Sequence, residues 1–476
     1  MLSTEFADLL QRELTPAEAR APLAVVPALE TLAEQALAHA ELVSPDARLT
    51  IEAMIAEIDL KLGQQINLIL HHPEFQQMEG VWRGLYFLVA STQTDQMLKI
   101  KLLSISKREL TRVLRNFRGT AWDQSPIFKK IYEEEYGQLG GEPYGLLIGD
   151  FYFDHSPVDV QLLGDIAQTA AAAHVPFIAG AAPSIMQMQS WAELANPRDL
   201  TKIFQTPEYV AWRSLRESED ARYLGLAMPR FLARLPYGAR TDPLDAFVFE
   251  EDAEGPDSSR FLWANAAYAM AANVTRAFSL YGWCTRIRGV DGGGLVEGLP
   301  VYTFPTADGD VDRRCVTEIA LSERHEAELA RNGLMPLLHL KNTGTAAFFG
   351  AQSLQKPEEY EDPAATANAY LSARLPYLFA CCRFAHYLKC MVRDKIGRSM
   401  SKDELALWLQ DWLNRYVDGS PDTSHETWKA AHPLAQAYVD LEADPEKPGQ
   451  YNAKFLLKPH HQLEGLSVAL RLVSRA

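Results

Sequence analysis

Residues 127–159, IFKKIYEEEYGQLGGEPYGLLIGDFYFDHSPVD, decide the fold class. Residues 128–136 place aromatic and aliphatic side chains at helical spacing. Gly137 and the Gly140, Gly141 pair then break the pattern, and 144–153 is a nearly continuous apolar run. A short apolar run set off by glycines is the pattern of a strand buried on both faces. Asp154 to Asp159, with Pro157, supply a turn, and 160–173 has the amphipathic spacing of a helix that can cover the strand. His174, Val175 and Pro176 lead into Phe177, Ile178 and Ala179, a second buried strand. The unit is therefore a strand, helix, strand crossover. Further strand-like runs at 145–148, 177–179 and 283–290 alternate with helices at 159–173, 207–215 and 261–280. The fold class is α+β, a mixed α/β body.

On the N-terminal side, 28–40 and 46–70 read as helices, with Ser44 and Asp46 as caps and Pro45 in the first turn. Leu49, Ile51, Met54, Ile55, Ile58 and Leu62 form a wide apolar stripe that needs a partner surface. A self-paired coiled coil is the alternative, but the pattern lasts too few heptads to require one. Residues 75–90 continue as a bulky aromatic helix that caps the main core. Residues 96–106, QMLKIKLLSIS, predict a strand with one wet face, because Lys99 and Lys101 alternate with Leu98, Ile100 and Leu102.

At the other end, 450–458 alternates Tyr451, Ala453, Phe455 and Leu457 with polar neighbours, and 466–473 alternates Leu466, Val468, Leu470 and Leu472. With a turn at 459–462 these make a hairpin with open edges. Either all three strands pair within one chain, or the open edges take strands from other chains in a polymer. Residues 401–417, SKDELALWLQDWLNRYV, form an amphipathic helix that Ser401 can cap. Leu405, Trp408, Leu409, Trp412 and Leu413 are its apolar face, and Asp403, Glu404 and Asp411 lie opposite. Near the N-terminus FADLLQREL sets Phe6, Leu9, Leu10 and Leu14 on one side of a short helix before Pro16.

The 476 residues, 47% hydrophobic, suffice for two or more cores. A net charge of −16 argues against a general nucleic-acid or anionic-membrane surface and suits a basic protein partner. No apolar run approaches the roughly 20 residues of a membrane span, so no membrane insertion is expected and the chain should stay in the cytoplasm. Five cysteines, an odd number without a CxxC pair, predict reduced thiols.

Catalytic templates fail in turn, and no metal or cofactor is expected. His155, His174, His325, His386, His460 and His461 form no HExxH or HxxxH helix. Cys315, Cys381 and Cys390 lack a nucleophile motif, and there is no GxSxG elbow. Arg213, Arg216, Glu217, Glu219, Asp220 and Arg222 mix both signs in one short segment and read as a salt-bridged turn. The strongest lure is 288–298, RGVDGGGLVEG, where Gly292 to Gly294 could cradle phosphate and Asp291 and Glu297 a metal. It matches neither GxxxxGK[ST] nor GxGxxG and holds no lysine, so the glycines read better as a tight backbone path. An α/β enzyme using Gly292–Gly294 is kept as the alternative to a structural protein.

The quoted stretch, together with NPRDLTKIFQTPEYVAWRSLRESEDARYLGLAMPRFLARLPYG downstream, closely resembles the large subunit of the bacterial type VI secretion contractile sheath, the TssC/VipB/ImpC/EvpB family, from about Phe6 to Ser474. That resemblance implies a contractile-sheath fold with an N-terminal helical region at 1–90, a mixed α/β sheath body at 91–400, and a C-terminal inner helix and strand-exchange hairpin at 401–476. It implies no enzymatic activity. Its implied partners are the small sheath subunit TssB, which meets the helical stripe, the Hcp tube, baseplate components, other copies in a helical polymer, and the unfoldase ClpV. For sites, it implies ClpV binding at Phe6, Leu9, Leu10 and Leu14. It implies strand exchange at Leu98, Ile100, Leu102, Tyr451, Phe455, Leu457, Leu466, Val468, Leu470 and Leu472. A tube-facing helix carrying Asp403, Glu404 and Asp411 completes the set. A phage-type tail sheath would share the architecture but is normally built from one kind of subunit.

Overall fold

The computed structural model describes residues 47–195, 199–245, 247–253, 258–305, 308–395, 401–420, 423–443 and 451–460. The chain divides into two units, Met1–Gln76 with Leu235–Phe261 and Gln77–Arg234 with Leu262–Ala476.

In the first unit the long helix α1, Ala47–Leu70, is held by the 235–261 segment. Asn67 Nδ2 donates to the Glu250 carbonyl at 3.1 Å, and the Asp252 N–H donates to Asn67 Oδ1 at 2.8 Å. His71 and the buried Glu251 lie 3.4 Å apart. Met54 is buried, but Leu49, Ile55 and Leu62 of the expected stripe are exposed, as are Leu60 and Leu68.

The second unit is built on a sheet of β1 (Leu147–Phe153), β2 (Phe177–Ala181), β3 (Leu224–Met228), β4 (Leu295–Val296), β5 (Leu334–His339) and β6 (Ala346–Phe348). Its order is β1-β2-β3-β5-β6-β4, with the first four parallel and β6 antiparallel to both neighbours. The expected crossover is present: β1, then α4 (Pro157–Ala173), then β2, in register from Leu147 opposite Phe177.

Helices cover both faces of the sheet. On one side, with α3 (Lys107–Asn116) and α5 (Val210–Glu217), α4 encloses a core that includes Phe153, Leu162, Trp191, Trp212 and Leu226. On the other, α2 (Pro73–Ala90, its residues from Gln77 onward) and α6 (Ala266–Tyr281) enclose Leu88, Phe231, Met270, Leu337 and Phe348. Here α2 comes close because Gly80 and Gly84 share one ridge. A Cβ on Gly80 would stand 2.8 Å from the Trp263 carbonyl oxygen, and one on Gly84 2.4 Å from the Tyr268 ring. Buried strands thus lie between helical layers, as the apolar runs required.

Two expected strands are absent. Residues 98–106 join no ladder among the described residues. Side chains hold them instead: Lys99 pairs with Glu142 at 2.6 Å, Lys101 with Glu135 at 2.7 Å, and Asp95 accepts the N–H groups of Met97 and Leu98. Residues 283–290 are also irregular, because Gly289 (φ 72°) and Gly293 (φ 88°) turn the chain sharply before β4. Strands β3, β5 and β6 carry the sheet onward in their stead.

The segment 213–222 is structural, but by a different device from the expected salt-bridged turn. Arg213 donates to the carbonyls of Phe204 and Thr206, and Arg222 to that of Glu219. The buried Arg216 donates to the carbonyls of Leu354 and Arg331, and burial lowers its pKa to about 10. The guanidiniums of Arg213 and Arg216 terminate backbone that would otherwise be wholly or partly buried without partners.

Candidate assembly surface

The C-terminal region carries the surface of interest. Helix α7 (Glu323–Arg331), α8 (Pro363–Ser372) and α9 (Leu375–Lys395) lead to α10 (Lys402–Asn414) and the short α11 (Glu426–Ala431). Pro376 stands in the first turn of α9, where a missing N–H costs nothing. Ser401 caps α10 through a full capping box: its hydroxyl accepts the Glu404 N–H, and the Glu404 carboxylate accepts the Ser401 N–H at 2.8 Å.

The apolar face of α10 is the one expected. Leu409 and Leu413 are fully buried, and Leu405, Trp408 and Trp412 pack against the same cluster as Trp283, Phe384 and Leu388. Trp283 stacks on Phe384 at 4.2 Å, and Trp412 meets Phe384 edge-on at 5.9 Å. Over this cluster lies a two-stranded antiparallel hairpin of β7 (Leu434–Ala443) and β8 (Tyr451–Pro459). Ala437, Val439, Leu441, Phe455 and Leu457 face α10, while Tyr438 and Leu456, directly opposite each other, face outward at 61% and 67% exposure.

Strand β8 is the expected one, alternating exposed and half-buried side chains from Lys454 to Lys458; its partner β7 is not among the expected strands. The sequence pattern assigns that role to 466–473, which lie outside the described residues. LAQAYVDLEA alternates Leu434, Gln436, Tyr438, Asp440 and Glu442 with Ala435, Ala437, Val439, Leu441 and Ala443, so a period-two signal was there. Three alanines and two acids weakened it.

The remaining expected residues are scattered. Phe6, Leu9, Leu10, Leu14, Leu466, Val468, Leu470 and Leu472 lie outside the described residues. Leu98 and Ile100 are half-buried, and Leu102 is 69% exposed. The backbone of Tyr451 pairs with Ala443. Asp403 and Asp411 are exposed, whereas Glu404 is engaged by its cap. Sequence reasoning missed the exposed ridge Met78, Trp82, Tyr86 and Val89 on α2, although its spacing is helical. The helix does cap the core as expected, through Leu85, Phe87, Leu88 and the two glycines, while these four side chains point away from it.

The glycine loop is organised around its carbonyl acceptors. Its carbonyls turn toward a cation: Arg276 Nη2 donates to Gly293 O at 2.9 Å and Leu295 O at 2.6 Å, and Asn273 Nδ2 to Gly294 O at 3.0 Å. The Gly294 N–H is spent on Gly289 O and the Gly289 N–H on Phe348 O. A phosphate site needs converging amide hydrogens. Among the described residues no group of three or more His, Cys, Asp or Glu is placed to hold a metal ion, and no helix is long and apolar enough to cross a membrane. The five cysteines are free, and burial pushes the thiols of Cys284, Cys381 and Cys382 up.

Residues 52–355 match the VipB family model, described as EvpB/VC_A0108, tail sheath N-terminal domain, and residues 364–476 match its companion, the tail sheath gpW/gp25-like domain. The chain belongs to the VipB family of type VI secretion sheath proteins. A relative from Pseudomonas aeruginosa PAO1, the type VI secretion system sheath protein TssC1, is 65% identical over 473 residues, 99% of this chain and 95% of that protein. Two solved structures are loosely similar, each at 11% identity. The anti-feeding prophage baseplate gives a TM-score of 0.39 over 80% of this chain and 83% of that one. The same prophage's helical sheath in its contracted state gives 0.35 over 81% and 85%. The VipB boundary near residue 360 falls in the polar connection before α8, so α9, α10 and the hairpin all belong to the gpW/gp25-like part of this sheath protein.

Proposed function

We propose that this chain pairs with the small sheath subunit TssB, polymerises from a baseplate around the Hcp tube in the bacterial cytoplasm, and contracts to drive the tube outward. Its work would be conformational, carried by many coupled two-state interfaces, with no bond chemistry in the chain. The observation that supports this best is the β7–β8 hairpin: two strands among the described residues, packed on α10 by one face and presenting an apolar pair on the other. Such a ribbon is marginal alone and gains from added strands.

We place strand exchange at β8 rather than at 98–102. Two ion pairs hold the latter segment, Ile100 packs against the core, and Leu98 is half-buried. The exposed residues of α1 and the ridge Met78, Trp82, Tyr86 and Val89 are proposed as TssB contacts. The tube contact is assigned to Asp403 and Asp411, with Glu404 reserved to the cap. ClpV recognition is kept at Phe6, Leu9, Leu10 and Leu14, and deleting residues 2–14 should abolish ClpV binding while leaving assembly intact. For function, the proposed regions are the helical 1–90, the body 91–400 and the inner helix with hairpin 401–476.

Co-expression with TssB, pelleting and negative-stain electron microscopy test the whole reading. Long hollow tubules only in the co-expressed sample support it. A monodisperse protein in both samples sinks it and returns the question to Gly292–Gly294.

A further inference from the structure

The two outer edges of the hairpin are treated differently. In β7 the Ala437 carbonyl and the Val439 N–H point away from β8, toward α10. Gln410 meets both: its Nε2 donates to Ala437 O at 3.0 Å, and the Val439 N–H donates to its Oε1 at 3.0 Å. These are the two bonds that a residue of an adjoining strand would make. The second hydrogen of Nε2 goes to Asn414 Oδ1 at 2.8 Å, one helical turn on, which fixes the orientation of the amide. At the start of β7, the Leu434 N–H donates to Tyr416 O at 3.2 Å and the Asp418 N–H to Leu434 O at 2.9 Å, a parallel bridge with Val417. The outer edge of β7 is therefore bonded at 434, 437 and 439.

Strand β8 differs. Ala437 pairs with Leu457, Val439 with Phe455 and Leu441 with Ala453, so the backbone groups of Leu457, Phe455 and Ala453 point to the opposite outer edge. None of them has a backbone partner there among the described residues.

We propose that Gln410 guards the β7 edge, so that a strand donated by a neighbouring subunit of the polymer is accepted on β8 alone. The inference rests on the strand-exchange reading above. The strand that fits is extended and alternating. Its apolar side chains continue the Phe455 and Leu457 face over the α10 core, and its polar ones continue the row of Lys454 and Lys458. Gln410 acts by occupation: the two backbone groups it already bonds in the subunit would gain nothing from pairing on β7, whereas the edge of β8, without a partner among the described residues, keeps that gain. A single acceptor edge also gives one register and one direction of growth.

Hydrogen exchange read by mass spectrometry on peptides 434–443 and 451–460 tests this, comparing purified sheaths with the full chain held dispersed by a carrier fusion. In the wild type, 451–460 is expected to gain protection on assembly while 434–443 stays unchanged. In Gln410→Ala, 434–443 is expected to exchange several-fold faster in the dispersed chain and to gain protection in polymers. Wild-type protection of 434–443 equal to that of 451–460 overturns the guard and leaves strand exchange standing. So does an unchanged pattern in Gln410→Ala. Protection of 451–460 in the dispersed chain as in the sheath means that residues 466–473 of the same chain fill β8. That result removes the exchange reading itself.

Discussion

Tyr438 on β7 lies directly opposite Leu456 on β8, and both side chains point into solvent from the face of the hairpin turned away from α10. Asp440 opposite Lys454 continues the same face, so the apolar pair is bordered by a charge pair. Neither apolar side chain supports the fold of the subunit.

The first prediction follows from that pair. Leu456→Glu should change the unfolding free energy by no more than about 0.5 kcal/mol, the usual scale for an exposed site. It should nevertheless sharply reduce the yield of pelletable sheath. Denaturant unfolding of the dispersed chain and a pelleting assay separate the two. A sheath yield equal to that of wild type would show that this face covers nothing in the polymer.

Gly84→Ala should destabilise by about 1–3 kcal/mol, because its methyl would meet the Tyr268 ring at 2.4 Å and α2 would have to lift from α6. Gly145→Ala is the control, since nothing stands within 4 Å of a Cβ there and φ is not positive. The difference in denaturation midpoint between the two variants measures the close approach of α2, free of the general effect of replacing glycine.

Much of the fold was legible because the deciding signals were local. The run at 144–153 and the Phe177 strand announce burial on both faces, and α10 declares both its cap and its apolar side. What stayed hidden depends on distant partners. Residues 98–106 alternate like a strand, yet two glutamates from the 135–142 turn claim Lys99 and Lys101, and no ladder forms among the described residues. Residues 434–443 are a strand because α10 and Tyr451–Pro459 lie against them, and five alanines and acids gave little sign of it. The Gln410 bonds were invisible for the same reason: an amide on a helix cannot be assigned a backbone edge until the edge is in place.

Acid should loosen the subunit through two histidines at the C-terminal end of α4. His386 Nε2 donates to the Ala173 carbonyl at 3.2 Å, which leaves Nδ1 buried without a partner, and Tyr136 OH donates to the same carbonyl at 2.8 Å. Burial lowers the pKa of His386 to about 3 and that of His174 to about 4, against an ordinary value of about 6.5. The folded chain therefore binds fewer protons than the unfolded one below pH 6.5. Stability is full above that value and falls as the pH drops toward 3–4, by on the order of 2 kcal/mol per histidine at pH 5. His386→Gln keeps a donor for Ala173 and should remove about half of this slope between pH 7 and pH 5. An unchanged slope in denaturant melts at the two pH values would exclude His386 as its source.

The glycine loop offers the sharpest contrast between structural and chemical readings. Arg276 gathers Gly293 O, Leu295 O and Asn273 Oδ1, and Gly294 lies so close to Phe348 O and Gly289 N that a Cβ would stand 2.3 and 2.6 Å from them. Removing the guanidinium strands two carbonyls beside the β4–β6 pair, each unsatisfied group costing about 1–3 kcal/mol. Arg276→Met should therefore lower stability by roughly 2–6 kcal/mol while keeping most of the side-chain volume. Gly294→Ala should be at least as severe, since backbone atoms have to move. If the loop were a phosphate cradle, adding ATP or inorganic phosphate would raise the wild-type melting temperature, and Arg276→Met would abolish that rise. The expected result is no shift with either ligand and a large loss of stability without them, measured by thermal denaturation of the dispersed chain.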